Sequence, residues 1–202
     1  DIVFCVNAPN RTFLAKLKPG TLLIGLLNPY SNQLLGQSLE SLKLSALSLE
    51  LLPRISRAQP SDALSSQANI AGYKSVLLAA SELDRYFPML MTAAGTVQPA
   101  KVVILGAGVA GLQAIATAKR LGAVVSVSDI RPAVKEQIES LGARFIDLPE
   151  IDDQNSQSGA YATQTSEDFL VAQRKLLQEK LAEADVAICT AQIPGKKAPL
   201  LI

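Results

Sequence analysis

The sequence predicts an α/β fold in which two doubly wound parallel-sheet domains are joined by a long helix. Three observations carry that reading. Short apolar runs alternate with helical segments, the pattern of parallel strands buried on both faces with crossover helices between them. One such run, Val102 to Leu105, leads into Gly106, Gly108 and Gly111 at G-x-G-x-x-G spacing. A third stretch, Asp62 to Leu90, reads as one helix. Its roughly 27 residues would span about 40 Å, too long for the inside of a small domain, so it reads as an inter-domain spacer.

Taken in order, Asp1 to Val6 reads as a buried strand, and Pro9 to Leu17 as a short helix closed by Lys18-Pro19-Gly20. Thr21 to Leu27 is a second buried strand. Asn28-Pro29 turns the chain, and Ser31 can cap a helix running to about Leu42. Leu44 to Leu51 reads as a third strand, weakened by alternating serines. Pro53 to Ser61 is an irregular polar loop that carries Arg54, Arg57 and Gln59 and ends beside Asp62, a plausible cap for the long helix. Pro88 ends or kinks that helix, and Met91 to Ala100 reads as a linker.

The glycine segment is the most informative. Gly106 permits a tight turn, Gly108 lets a diphosphate approach the backbone, and Gly111 lets the next helix, Val109 to Leu121, pack on its strand. The free N–H groups at the start of that helix form an anion site. Val124 to Val127 is the next strand, and Asp129 stands at its end, 18 residues after Gly111. A carboxylate there accepts ribose hydroxyls and repels a 2′-phosphate, which favours NAD(H) over NADP(H). Arg131, nearby, reads as flanking the adenosine. Both domains are thus Rossmann-like. Pro132 opens a helix to about Leu141, and Ala143 to Ile146 is a further strand. Pro149 to Thr165 is a long polar loop with Tyr161 as its large residue. Ser166 to Ala184 is a helix, and Asp185 to Thr190 a strand that leaves through Ala191 to Gly195.

The first strand and its proline loop are echoed by Asp185 to Pro194, so the chain reads as a fragment with both domains incomplete. The expected boundaries are 1–61 for a partial first domain, 62–100 for the connecting helix and linker, and 101–202 for an NAD(H)-binding domain lacking its C-terminal end.

Composition narrows the chemistry. Of 202 residues, 49% are hydrophobic and 18% charged, and the net charge is +1, so nothing suggests nucleic acid or an anionic membrane surface as partner. No apolar run reaches the ~20 residues of a membrane span. Cys5 and Cys189 read as small buried hydrophobes. There is no histidine, which removes histidine acid–base and histidine-activated nucleophile chemistry and leaves no metal site to expect.

Pro53 to Lys101, followed by GAGVAGLQAIATAKRLGAVVSVSDIR, closely resembles the NAD(H)-binding component (domain I, alpha subunit) of the proton-translocating NAD(P) transhydrogenases. The likeness covers nearly the whole chain and is densest from Pro53 to Gly142. Alanine dehydrogenases are more distant relatives of the same architecture. The resemblance implies that Arg54 and Asp62 orient the nicotinamide and that Gln59 faces the NADP(H)-binding component, with Ile55, Ser56, Arg57 and Ser65 completing that loop. It further implies Gly106, Gly108, Val109 and Gly111 at the diphosphate and Asp129, Ile130 and Arg131 at the adenosine. Tyr161 would belong to a mobile loop that folds over the nucleotide, more polar here than the family's Gly-Gly-Tyr form. Gln173, Ala191 and Gln192 would complete the site, with leucine frequent in the family at the last position.

The implied activity is direct hydride transfer between NAD(H) on this chain and NADP(H) on a partner. No proton moves with the hydride, so a histidine-free site is adequate. The resemblance also implies a membrane component as second partner, a homodimer, and a place on the cytoplasmic side of the membrane, peripheral through the partner. Two alternatives stand beside it. An alanine-dehydrogenase-like enzyme would need a histidine where this chain reads Leu26-Leu27-Asn28. A non-catalytic NAD-binding module would have no need of Arg54, Gln59 and Asp62.

Overall fold

The computed structural model describes residues 1–148 and 167–192, together with 198 and 201. The chain falls into two compact units, Asp1–Gln67 and Ala68–Gln192.

The first unit is a three-stranded parallel sheet, β1 (Ile2–Asn7), β2 (Leu22–Leu26) and β3 (Ser45–Ser48), with β2 in the centre. Two helices, α1 (Arg11–Leu14) and α2 (Gln33–Ser41), connect the strands. Leu14, Leu23, Leu27 and Leu35 form its core, with Val3 and Cys5 packed against it. Gly25 permits a close approach of β1 and β2, since a Cβ there would lie 2.1 Å from the Cys5 carbonyl oxygen. The side chains that alternate with Val3 and Cys5 are not buried: Phe4 is 77% and Val6 78% exposed. The first strand is therefore covered on one face only, not buried on both. The Ser31 cap is also corrected. Asn32 caps α2 by accepting from Leu35 N–H at 3.2 Å, while the Ser31 hydroxyl donates to Asn28 Oδ1 at 2.7 Å. The third strand stops at Ser48, and the chain turns into 3-10 geometry at Leu49–Leu51 and again at Ser56–Ser61.

The long helix, α3, spans Ala63–Glu82, about 30 Å rather than 40 Å. Within the second unit, tertiary contacts end it early. Arg85 leaves the helix to donate to Asp185 Oδ1 at 2.5 Å, and Phe87 turns inward to 4% exposure. The linker is not irregular either. It contains an antiparallel hairpin, β4 (Leu90–Thr92) with β5 (Gly95–Val97), closed by Gly95 at φ +125°.

The second unit's main sheet is parallel, with β6 (Lys101–Leu105), β7 (Val124–Ser128), β8 (Arg144–Phe145) and β9 (Val186–Cys189) in the order β8-β7-β6-β9. The helices are α4 (Val109–Arg120), α5 (Lys135–Ser140) and α6 (Glu167–Ala182). Strand β6 is buried on both faces with the period of two that a strand imposes. Val102 and Ile104 join a core with Val76, Ala114, Ile115 and Ile138, while Val103 and Leu105 meet Ile146 and Leu177 on the other side. Cys189, expected to be buried, is exposed at the end of edge strand β9. At the amino edge, Asp185 accepts from Lys101 N–H at 2.8 Å as well as from Arg85, which ties β9 to β6.

Candidate functional site

The strand order reverses at β6, with β7 and β8 on one side and β9 on the other. Ligands of open α/β sheets bind at the carboxyl ends of strands beside such a switch point. Here that place is the glycine turn between β6 and α4. Gly106 takes φ +96°, and its N–H donates to the Ser128 carbonyl at 2.8 Å. A Cβ on Gly111 would lie 1.9 Å from the Gly106 carbonyl oxygen, so this glycine is required by packing. Gly108 is different. Its φ is −76°, and a Cβ there would meet nothing within 4 Å. The space in front of Gly108 is open toward the start of α4, whose first turn no side chain caps. Orphan N–H groups and the helix dipole make this an anion cradle, and the residues fit a diphosphate.

Asp129 borders the turn. One carboxylate oxygen accepts from Ala107 N–H at 2.7 Å and from Arg131 Nη2 at 3.0 Å; the other accepts from Arg131 N–H at 2.8 Å and Arg131 Nε at 3.0 Å. Burial pushes this carboxyl up, but the Arg131 fork and the two backbone donors outweigh burial and hold it below the ordinary range. Asp129 in turn raises the guanidinium of Arg131. Arg131 is thus the ion-pair partner of Asp129. Ile130 and Val109 are both exposed. Gln173 is buried at 3% exposure in α6, and Ala191 and Gln192 follow β9, with Ala191 N within 2.9 Å of where a Gly106 Cβ would stand. Tyr161 lies outside the described residues.

Thr190 escaped the sequence reading, where it passed as the last residue of a strand. Its hydroxyl lies 2.8 Å from the Gly106 carbonyl oxygen and 3.2 Å from that of Leu105, which locks the glycine turn against the end of β9.

The first unit holds the other constellation. Arg54, Ile55, Ser56, Gln59, Asp62 and Ser65 line one cavity of about 280 Å³. Asp62 caps α3, accepting from Ser65 N–H at 2.9 Å and Ser65 Oγ at 2.6 Å. These two bonds, with the positive charge of Arg54 assisting, hold its carboxyl below the ordinary range. Asp62 is therefore ionised at neutral pH. Arg57 is exposed outside the cavity wall. Glu50, also missed from sequence, lines the same cavity. Little in the local pattern marks it, because besides the nearby Ser48 hydroxyl its partners are the backbone N–H groups of Leu27 and Asn28, more than 20 residues back. Among the described residues no group of three His, Cys, Asp or Glu side chains comes together to hold a metal, and no helix is long and apolar enough to cross a membrane.

The comparisons with known proteins agree on one family. The alanine dehydrogenase/PNT C-terminal domain matches residues 75–202 and the alanine dehydrogenase/PNT N-terminal domain residues 1–71. Along all of its length the chain is 50% identical to an NAD(P) transhydrogenase subunit alpha polypeptide of Rhodospirillum rubrum, and spans 54% of that protein. The solved structure of transhydrogenase from Sinorhizobium meliloti superposes with a TM-score of 0.82 at 45% identity, over 98% of this chain and 52% of that one. An L-alanine dehydrogenase superposes with a TM-score of 0.72 at 26% identity, over 100% of this chain and 50% of its own. The chain therefore spans about half the length of the relatives it matches. It belongs to the alanine dehydrogenase/PNT family, and by sequence it stands with the NAD(P) transhydrogenase alpha subunits.

Proposed function

We propose that this chain is the NAD(H)-binding part of a proton-translocating transhydrogenase and passes hydride directly between NAD(H) and NADP(H) held by a partner component. The observation that carries the reading is the make-up of the first unit's cavity, where Arg54, Gln59 and Asp62 are gathered in a histidine-free chain. A carboxamide needs one donor and one acceptor to fix its plane. Arg54 and the ionised Asp62 supply them, and Ser65 holds Asp62 in place. Gln59 is left for the face toward the partner. The start of α4 and Gly108 receive the diphosphate, and Asp129 the adenosine ribose, which takes over bonds that Arg131 now makes. Bound there, NAD(H) supplies a nicotinamide whose C4 gives or takes hydride. The protein's task is then to hold the ring and exclude water, with no acid or base. Gln173, Ala191, Gln192 and Tyr161 complete the enclosure in this reading.

Amino-acid oxidation is the competing reading, and β2 speaks against it. At the end of that strand, where the alanine-dehydrogenase reading needs a histidine, the chain reads Leu26-Leu27-Asn28. A homodimer fits the second unit, since the large apolar side chains of Ile70, Tyr73 and Leu78 are left exposed on α3. A membrane component would be reached through the partner, on the cytoplasmic side, and the 1–61, 62–100 and 101–202 division is part of the same reading. The test is to supply the protein with NADH, an NADP+ analogue and its NADP(H)-binding partner, and separately with NAD+ and alanine. Oxidation of NADH only in the presence of the partner supports the reading. Alanine-dependent NADH formation by the protein alone refutes it.

A further inference from the structure

We propose that Glu50 is a positioning residue for hydride transfer, its carboxylate fixing the base of the Arg54–Asp62 loop to the end of β2. The inference rests on the functional reading above and deepens it. Strand β3 stays in register with β2 only as far as Ser48 opposite Gly25. Beyond that point the N–H groups of Leu27 and Asn28 have lost their neighbour. Glu50 replaces it: Oε2 accepts from Leu27 N–H at 3.1 Å and Oε1 from Asn28 N–H at 2.8 Å. The Ser48 hydroxyl donates to Oε2. Asn28 sits at φ +52°, so the chain turns sharply just where the carboxylate grips it. Burial pushes the Glu50 carboxyl up, but Ser48 and the backbone donors prevail and hold it below the ordinary range.

The loop has little else to hold its base. Residues 51–57 are all exposed, so no apolar burial anchors Arg54. Glu50 precedes Arg54 by four residues, one of them Pro53, and four residues reach at most about 14 Å. Glu50 lines the same cavity as Arg54, Gln59 and Asp62. A shift at Glu50 is therefore delivered to the donor and acceptor that orient the nicotinamide. The glycine turn, where the functional reading places the diphosphate, belongs to the other unit.

Glu50→Gln keeps the shape but leaves one acceptor oxygen and turns an NH2 toward a backbone N–H or the Ser48 hydroxyl. In the protein assembled with its NADP(H)-binding partner, the expected result is a split. KM for NADH stays within about threefold while kcat falls at least about tenfold. Amide hydrogen exchange accelerates across residues 52–62 and is unchanged across Val102–Leu105. A kcat equal to wild type, unchanged exchange over 52–62, or an equal loss of NADH affinity and kcat overturns the proposal. Wild-type protein that transfers no hydride with its partner defeats the functional reading itself. The exchange measurement then decides on Glu50 alone.

Discussion

At the scale of single residues, Gly108 and Gly111 differ in what surrounds them. Gly108 has an ordinary φ and open space where a Cβ would stand, whereas a Cβ on Gly111 would collide with the Gly106 carbonyl. Gly108→Ala should leave the melting temperature within about 2 °C of wild type and weaken NADH binding at least about tenfold, read by fluorescence titration. Gly111→Ala should lower stability by about 1–3 kcal/mol or more. Equal NADH affinity in Gly108→Ala would remove the diphosphate from this turn. Asp129 carries a pH prediction. Its folded carboxyl lies below the ordinary range, while the unfolded one titrates near 3.9. Its stabilisation is therefore complete above about pH 4 and lost as pH falls through the lower, folded value. The stability gap between wild type and Asp129→Asn should be flat near neutrality and shrink below about pH 4 in chemical denaturation. A gap that widens on acidification would contradict the assigned ion pair with Arg131.

At the scale of elements, the seat of α4 on α3 is decisive for the second unit. A Cβ on Gly72 would lie 2.0 Å from the Ala110 carbonyl oxygen, in the first turn of α4, and Asn69 Nδ2 donates to Gln113 Oε1 at 3.0 Å alongside it. Gly72→Ala should therefore cost about 1–3 kcal/mol and weaken NADH binding. Gly36→Ala in α2, where nothing lies within 4 Å, should be neutral or stabilising by up to about 1 kcal/mol. Denaturant melts of both variants check this, and a harmless Gly72→Ala would mean that the two helices do not meet so closely. The elements also show what the sequence could and could not reveal. Strand β6 and helix α4 were legible because burial on both faces leaves a continuous apolar run and the turn demands glycine, and β7 because Val125 and Val127 alternate into one core. The hairpin β4–β5 was not, because its three-residue strands carry no period and Gly95 looks like any linker glycine. The early end of α3 was hidden for a different reason. Arg85 and Phe87 end it through contacts with Asp185 and the core, and no local propensity reports partners that far along the chain.

At the scale of the whole molecule, each unit gathers one cluster of candidate site residues by itself. Arg54, Gln59, Asp62 and Ser65 line one cavity in the first unit. Gly106 to Gly111 and Asp129 meet at the switch point of the second. The second grouping was legible as a motif, and the first through the family resemblance of its loop. Glu50 and Thr190 were not, since their roles lie in backbone partners some 20 and 80 residues away. In the proposed reaction, hydride passes from one nicotinamide to another without exchange with water. Isotope labelling examines that step itself: the protein is loaded with NADH deuterated at the transferring C4 position, NADP+ is supplied on the NADP(H)-binding partner, and the label is followed by NMR. Direct transfer requires deuterium in the NADPH formed, with none released to solvent. Label appearing in water, or NADPH formed without deuterium, would rule direct transfer out.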